Sequence, residues 1–271
     1  MTDSPMFEQA ATYFQDLRDR ICAAFEALEE ASTFERTPWQ RDEGGGGVMS
    51  VMRGTTFEKV GVNFSSVSGT LSDDFRKQIP GGEETGEFRA CGISLVAHMA
   101  NPRCPAVHMN LRRIETSTGW FGGGTDLTPY YPYDEDIEIF HARLKEACDR
   151  FDPDYYPKFK AWCDKYFFLP HRNEPRGAGG IFFDNLDTGD AEQDFSFVQA
   201  VGEAFAATYP EIIARRKNEA FTLDEREYQL IRRGRYAEFN LLYDRGTTFG
   251  LQTGGNPEAI LMSMPPLVRW P

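Results

Sequence analysis

In the stretch AVHMNLRRIE, residues 106 to 115, an imidazole, an amide and a guanidinium recur at every second position. Extended chain points successive side chains to opposite faces, so Val107, Met109 and Leu111 fall on one side and His108, Asn110 and Arg112 on the other. The preceding run CGISLVAHM keeps the same parity, with apolar Ile93, Leu95, Ala97 and Met99 odd-numbered and polar Ser94 and His98 even-numbered. Paired as a hairpin across NPRCP, the two runs place Ser94, His98, His108, Asn110 and Arg112 on one face, opposite the face that packs on the core. An ordinary solvated strand face favours Lys, Glu and Thr instead. Guanidinium groups bind carboxylates, and imidazoles serve as ligands when neutral or as proton donors when charged.

Further along, YAEFNLLYDRG reads as a strand with Ala237, Phe239, Leu241 and Tyr243 on one side, Glu238, Asn240 and Asp244 on the other, and Arg245 at its end. Polar faces of neighbouring strands would together floor a cleft. The GGGTDLTP segment delivers Asp126 at a Gly-rich turn, where backbone can approach a ligand, and HRNEPRGAGG presents His171, Arg172 and Arg176 before a strand. The four histidines, His98, His108, His141 and His171, form no H-x-H or H-E-x-x-H, so their spacing is a weak metal signal. His141 shares a helix face with Ile137, Leu144 and Cys148, which favours a satisfied core histidine over a ligand.

The elements that must position these groups follow from periodicity. Ser4-Pro5 starts a helix whose Phe7, Ala11, Phe14, Leu17, Ile21, Phe25 and Leu28 recur at helical spacing. GGGGVMSVMRG and FEKVGVNFSSVSG read as strands; the glycines at 44 to 47 match no phosphate-loop pattern, so a flexible loop or lid is expected there, and a surface loop over 72 to 87. Strands are expected at 90 to 100, 105 to 116 and 119 to 123. Helices follow over DEDIEIFHARLKEACDRF and 154 to 168, then the buried strand GGIFFDNL and a helix over 194 to 216. Thr222 and Glu225 make a capping box for another helix, and strands are expected near 236 to 243, 247 to 252 and 258 to 264. Consecutive strands point to an α+β fold: one large, mainly antiparallel β-sheet flanked by helices on both sides. A single domain is expected over 1–271, with 1–43 as N-terminal helix and lead-in and 236–271 as C-terminal strands.

The 271 residues are 41% hydrophobic and 14% aromatic, as an ordered globular chain requires. A net charge of −13 argues against nucleic acid or an anionic membrane as a bulk partner, so an anionic ligand must be met locally. Only seven of the 29 basic residues are lysines, leaving an arginine-rich set suited to bidentate carboxylate contacts, although GC-rich coding would give the same bias. Five cysteines without C-x-x-C spacing suggest neither a disulfide framework nor a zinc knuckle. With no signal segment and no run approaching a membrane span, a cytoplasmic protein is expected.

Taken together, VNFSSVSG, VAHMANPRCPAVHMNLR, WFGGGTDLTPYYP, YYPKFKAWCDKYFFLPHRNEPRGAGGIFFDNL, RRGRYAEFNLLYDRGTTFGLQTGG and ILMSMPPLVRW closely resemble the aerobic, oxygen-dependent coproporphyrinogen III oxidases. The resemblance is collinear from about residue 44 to the C-terminus. It implies oxidative decarboxylation of two propionates of coproporphyrinogen III to vinyl groups, giving protoporphyrinogen IX, CO2 and hydrogen peroxide in haem biosynthesis. O2 is the co-substrate and no organic cofactor is needed. It further implies His108 as proton donor, Ser94 and the Asn110-Leu111-Arg112 segment as substrate contacts, and Asp126, Arg176, Asp244 and Arg245 on the polar wall of the site. Asp244 or Asp126 would accept hydrogen bonds from pyrrole N–H groups, and Asp244 is the sharper candidate for the base. Bacterial members are described as holding a divalent cation, usually manganese, through histidines matching His98, His108, His141 and His171. That set conflicts with His108 as proton donor, and four imidazoles suit a softer ion. A homodimer joined through about residues 236 to 271 is implied as well.

Two departures from the family pattern stand out. TGGN carries Asn256 where arginine is expected in bacterial relatives, which weakens the substrate contact carried onto Gly254, Gly255 and Asn256. The chain also ends at VRWP, short of the acidic and aromatic tail of relatives, so closure of the site or dimer is expected to differ. A tetrapyrrole carrier lacking the chemistry is the competing reading, and a metal-dependent hydrolase a more distant one.

Overall fold

In the computed structural model, which describes residues 4–252 and 255–271, the first helix α1 runs Pro5–Glu26. The Ser4 hydroxyl donates to Glu115 Oε1 at 2.9 Å rather than capping the helix. Strands β1 (Glu35–Gln40), β2 (Gly45–Met52) and β3 (Phe57–Thr70) follow, then two helical turns, α2 (Asp73–Arg76) and α3 (Gly82–Thr85). Next come β4 (Glu87–Met99), β5 (Ala106–Glu115) and β6 (Gly119–Thr128), and helices α4 (Asp134–Asp149) and α5 (Tyr155–Tyr166). A small β7/β8 pair (Phe168–Leu169 with Glu174–Pro175) precedes β9 (Gly179–Leu186) and α6 (Ala191–Arg216). Helices α7 (Leu223–Leu242), α8 (Arg245–Gln252) and α9 (Pro257–Leu261) complete the chain.

Seven strands form one sheet in the order β1-β2-β3-β4-β5-β6-β9, each neighbour antiparallel. The hairpin register sets Ser94 opposite Asn110, Val96 opposite His108 and Gly92 opposite Arg112, the parity that the alternation requires. Ile93, Leu95, Met109, Leu111, Phe121, Ile181 and Phe183 are buried on the other face, and α1 and α6 cover that face. Burial of an apolar side chain of this size stabilises by about 1.5–3 kcal/mol, so the register cannot slip by one residue without exposing the whole row. Helix α5 runs along β9, with Phe159 packed on Phe183 on the core side and Tyr166 stacked on Phe182 on the other.

Three expectations are corrected. Helices stand where strands are expected near 236 to 243, 247 to 252 and 258 to 264, namely the end of α7, α8 and α9: α7 begins at the Thr222–Glu225 capping box and buries Gln229, Arg233, Tyr236, Ala237 and Asn240 at helical spacing. The alternation of YAEFNLLYD coincides with this pattern only in part, because Leu241 and Leu242 are both exposed. Gly45, Gly46 and Gly47 are not a lid but open β2, where a Cβ on Gly47 would come within 2.8 Å of the Trp39 ring. Asp126 lies inside β6 rather than at a turn, because β6 continues to Thr128 in register with β5 and β9.

Candidate active site

The open face of the sheet is set out in rows by its register. One row reads Asn63, Ser94, Asn110, Gly124 and Phe182 across five strands; the next reads Ser65, Gly92, Arg112 and Gly122. Few large side chains rise between Asn110 and Arg112 and their neighbours, so the floor is flat and the two polar groups stand above it. Arg112 Nη1 reaches Asn110 Oδ1 at 3.5 Å, and its Nη2 pairs with Asp184 Oδ1 at 2.8 Å. Leu111 turns the other way and is fully buried in the core, so only its backbone belongs to this face.

His108 and Asp126 face each other across β5 and β6, with Nδ1 and Oδ1 3.0 Å apart. A carboxylate only accepts here, so Nδ1 carries the proton and Nε2 is left to the cleft. Behind them Arg176 donates through Nη2 to both Asp126 oxygens at 2.7 Å, and through Nη1 to Asn240 Oδ1 at 3.0 Å. Asp126 is 1% exposed and Arg176 3%, so each is spent on the other, away from the surface of the cleft. Burial opposes ionisation of Asp126, but the Arg176 charge and the His108 bond outweigh it and hold the carboxyl below its usual range. The guanidinium lies 3.9 Å over the Phe167 ring and close to the rings of Tyr236 and Phe239.

Asp244 sits in the break between α7 and α8, where it caps α8. Its Oδ2 accepts from Thr247 N at 2.7 Å and Thr247 Oγ1 at 2.8 Å, and its Oδ1 from Tyr166 Oη at 2.9 Å. The helix separates it from the two residues expected to share its face: Asn240 turns inward to Arg176, while Glu238 binds His171, Arg172 and Trp270. The guanidinium of the adjacent Arg245 lies 5.1 Å over the Tyr166 ring, while the Asp244 oxygens take hydroxyl and amide donors. Burial and the Asp244 charge push the Tyr166 phenol up to about 12, so it stays a donor. Ala161, Trp162, Lys165, Tyr166, Tyr243 and Arg245 line an open pocket of about 680 Å³ beside this break. Two cations among aromatic rings suit a flat, polyanionic ligand.

The four histidines are not brought together. His98 is fully buried, with Nε2 2.9 Å from Ser263 O and Nδ1 without a partner among the described residues. Burial, and next the Arg233 charge, push its pKa down to about 3, with Lys59 and Arg176 adding to the effect. His141 donates to Ala178 O at 3.1 Å and accepts from Tyr156 Oη at 3.0 Å, as a core histidine would. His171 bridges Glu238 and Tyr243. Among the described residues no group of three or more His, Cys, Asp or Glu side chains could hold a metal ion. A cation bound to His98 would meet three positive side chains, so these residues do not fit a four-histidine centre within one chain.

Gly254 lies outside the described residues; Gly255 packs against Gly250, and Asn256 caps α9 through Glu258 N at 3.0 Å. Sequence reasoning passed over Asp184 and Tyr166. The first was within reach, because Gly180, Phe182 and Asp184 alternate along β9 onto the open face; the second pairs with Asp244 only through the fold.

A family model for coproporphyrinogen III oxidase matches residues 9–271. Oxygen-dependent coproporphyrinogen-III oxidases of Rickettsia bellii (strain OSU 85-389) and Rickettsia akari (strain Hartford) are 58% and 57% identical to this chain. That of Rickettsia rickettsii (strain Sheila Smith) is 56% identical, and each alignment covers 97% of this chain and 98% of the relative. The chain belongs to the coproporphyrinogen III oxidase family.

Proposed function

We propose that this chain catalyses the oxidative decarboxylation of two propionates of coproporphyrinogen III, using O2 and giving protoporphyrinogen IX, CO2 and hydrogen peroxide. The observation that carries the reading is the flat open face on which Ser94, Asn110, Arg112 and the Asp126-backed His108 stand in adjacent register. Arg112, with Lys165 and Arg245 of the neighbouring pocket, supplies local positive charge for propionates on a chain of net charge −13.

The stoichiometry gives His108 its task. A propionate anion, O2 and one proton yield a vinyl group, CO2 and H2O2, so each decarboxylation takes up one proton. As the imidazolium, with Nδ1–H held by Asp126 and a second proton taken up from solvent on Nε2 toward the cleft, His108 is placed to deliver that second proton to the reduced oxygen. Asp126 and Arg176 act here as positioning residues rather than substrate contacts. Asp244, oriented by Tyr166 and Thr247, accepts from pyrrole N–H groups and favours loss of a ring proton as electrons leave. Substrate brings its own reducing power, and no step passes through a metal or an organic cofactor.

The chain acts in the cytoplasm as a homodimer. Five buried free cysteines suit a reducing compartment, and the apolar surface that Leu241, Leu242, Leu251, Leu267 and Trp270 expose within the C-terminal segment supports a dimer joined there. Incubation with coproporphyrinogen III in air tests the activity: vinyl product with matched O2 uptake supports it, and binding without O2 uptake would make the chain a carrier.

A further inference from the structure

Arg112 is already occupied by an anion of the protein's own, and three features build that seat. The β9 strand carries a bulge: Phe121 pairs with Leu186 and Gly123 with Phe183, so Asp184 and Asn185 together stand opposite Gly122. Asn185 takes the left-handed conformation, φ 52°, and its N–H donates to Asp184 Oδ1 at 3.1 Å, which aims the carboxylate across the sheet. Gly122 leaves the room, since a Cβ there would lie 2.6 Å from Asp184 Oδ1 and 2.9 Å from Arg112 Nε. The result is the 2.8 Å pair between Arg112 Nη2 and Asp184 Oδ1.

The pair is open to exchange. The side chains are 28% and 17% exposed, and ion pairs that reach solvent contribute little net free energy. The other contacts of the guanidinium are weak: Nη1 has the long 3.5 Å bond to Asn110, and Nε has no partner among the described residues. A propionate arriving at Arg112 therefore meets a carboxylate in the same seat.

We propose that Asp184 is a resident counter-ion that exchanges with a substrate propionate on Arg112. The proposal rests on the reading of Arg112 as a propionate partner. Substrate binding displaces Asp184 from the guanidinium. When that propionate leaves, whether lost as CO2 or withdrawn as the macrocycle shifts for its second decarboxylation, Asp184 takes the guanidinium back. Arg112 is thus never left bare, and departure of the product is made easier at the expense of affinity for the substrate.

The test is anaerobic equilibrium binding of coproporphyrinogen III, with aerobic kcat measured alongside, for the wild type, Asp184→Asn, Arg112→Ala and the double variant. Removing the competing charge should tighten binding by roughly tenfold and lower kcat. The gain should vanish in the Arg112→Ala background. Asp184→Ala should move binding in the same direction, which separates lost competition from a misfolded Asn variant. Unchanged or weaker binding by both Asp184 variants, with Arg112→Ala still impaired, would overturn the exchange alone. Undiminished binding by Arg112→Ala would instead remove the propionate reading of Arg112, and the exchange with it.

Discussion

His108 and Asp126 stand opposite each other on β5 and β6, Nδ1 to Oδ1 at 3.0 Å, and the carboxylate is in turn gripped by both contacts of Arg176 Nη2 at 2.7 Å. The sheet register itself holds the imidazole, so the proton at Nδ1 is fixed and Nε2 meets the cleft. Asp126→Asn presents an amide donor to that nitrogen and reverses the arrangement. A fall in kcat of about two to four decades per folded molecule is expected, with little change in substrate affinity. Because Arg176 would be left buried and unpaired, stability should also fall by about 3–5 kcal/mol. Chemical denaturation and single-turnover assays read the two effects separately.

Asp244 offers a cleaner substitution. Asparagine caps a helix about as well as aspartate, so Asp244→Asn should keep α8 and most of the stability while removing the charge. A loss in kcat of about two to four decades, with a smaller change in substrate affinity, is expected. Near wild-type turnover by the folded variant would reduce Asp244 to a helix cap.

The hairpin was legible because Ile93, Leu95, Val107, Met109 and Leu111 alternate with polar residues strictly enough to fix both face and register. Its polar face could be assigned before any contact was known. The segment after Tyr236 misled for the opposite reason: its apolar residues satisfy a period of two over a few positions, and only the capping box upstream and the inward turn of Arg233, Tyr236 and Asn240 reveal a helix. Exposed Leu241 and Tyr243 mimic a buried row because they are apolar without being core. Asp126 lies within a strand rather than at a turn, since glycines at 122 to 124 suggest a turn where the chain continues extended. Pairings such as Arg176 with Asp126, 50 residues apart, leave no local trace in the sequence.

The separate surroundings of the histidines give a prediction about metal. His141→Ala removes one bond to Ala178 O and one from Tyr156, so stability should drop by about 1–3 kcal/mol while turnover per folded molecule survives. Adding manganese should change neither value. Turnover lost and then restored by the metal would make His141 a ligand.

Glu58 ties β3 to α7 through Arg226 and Arg233, the latter fully buried. Burial alone would raise its pKa, but the two guanidinium groups hold it below the usual carboxylate range. A depressed folded pKa gives stability that is present above the unfolded carboxylate value and lost as pH falls through the folded one. Glu58→Gln should therefore cost about 1.5–3 kcal/mol at neutral pH and make the acid-induced loss shallower than in the wild type. Urea denaturation at neutral and acid pH measures both; equal slopes would deny Glu58 a part in the acid response.

The proposed function assigns each step of the oxidative decarboxylation to the substrate and to this chain's own side chains. Its most direct test is simultaneous measurement of O2 uptake, H2O2 and vinyl product on chelator-treated protein given coproporphyrinogen III, begun anaerobically and then opened to air. One O2 consumed and one H2O2 formed per vinyl group, at a rate unchanged by chelation, is the expected result. Tight binding without O2 uptake, or turnover that returns only when a divalent cation is added back, would contradict it.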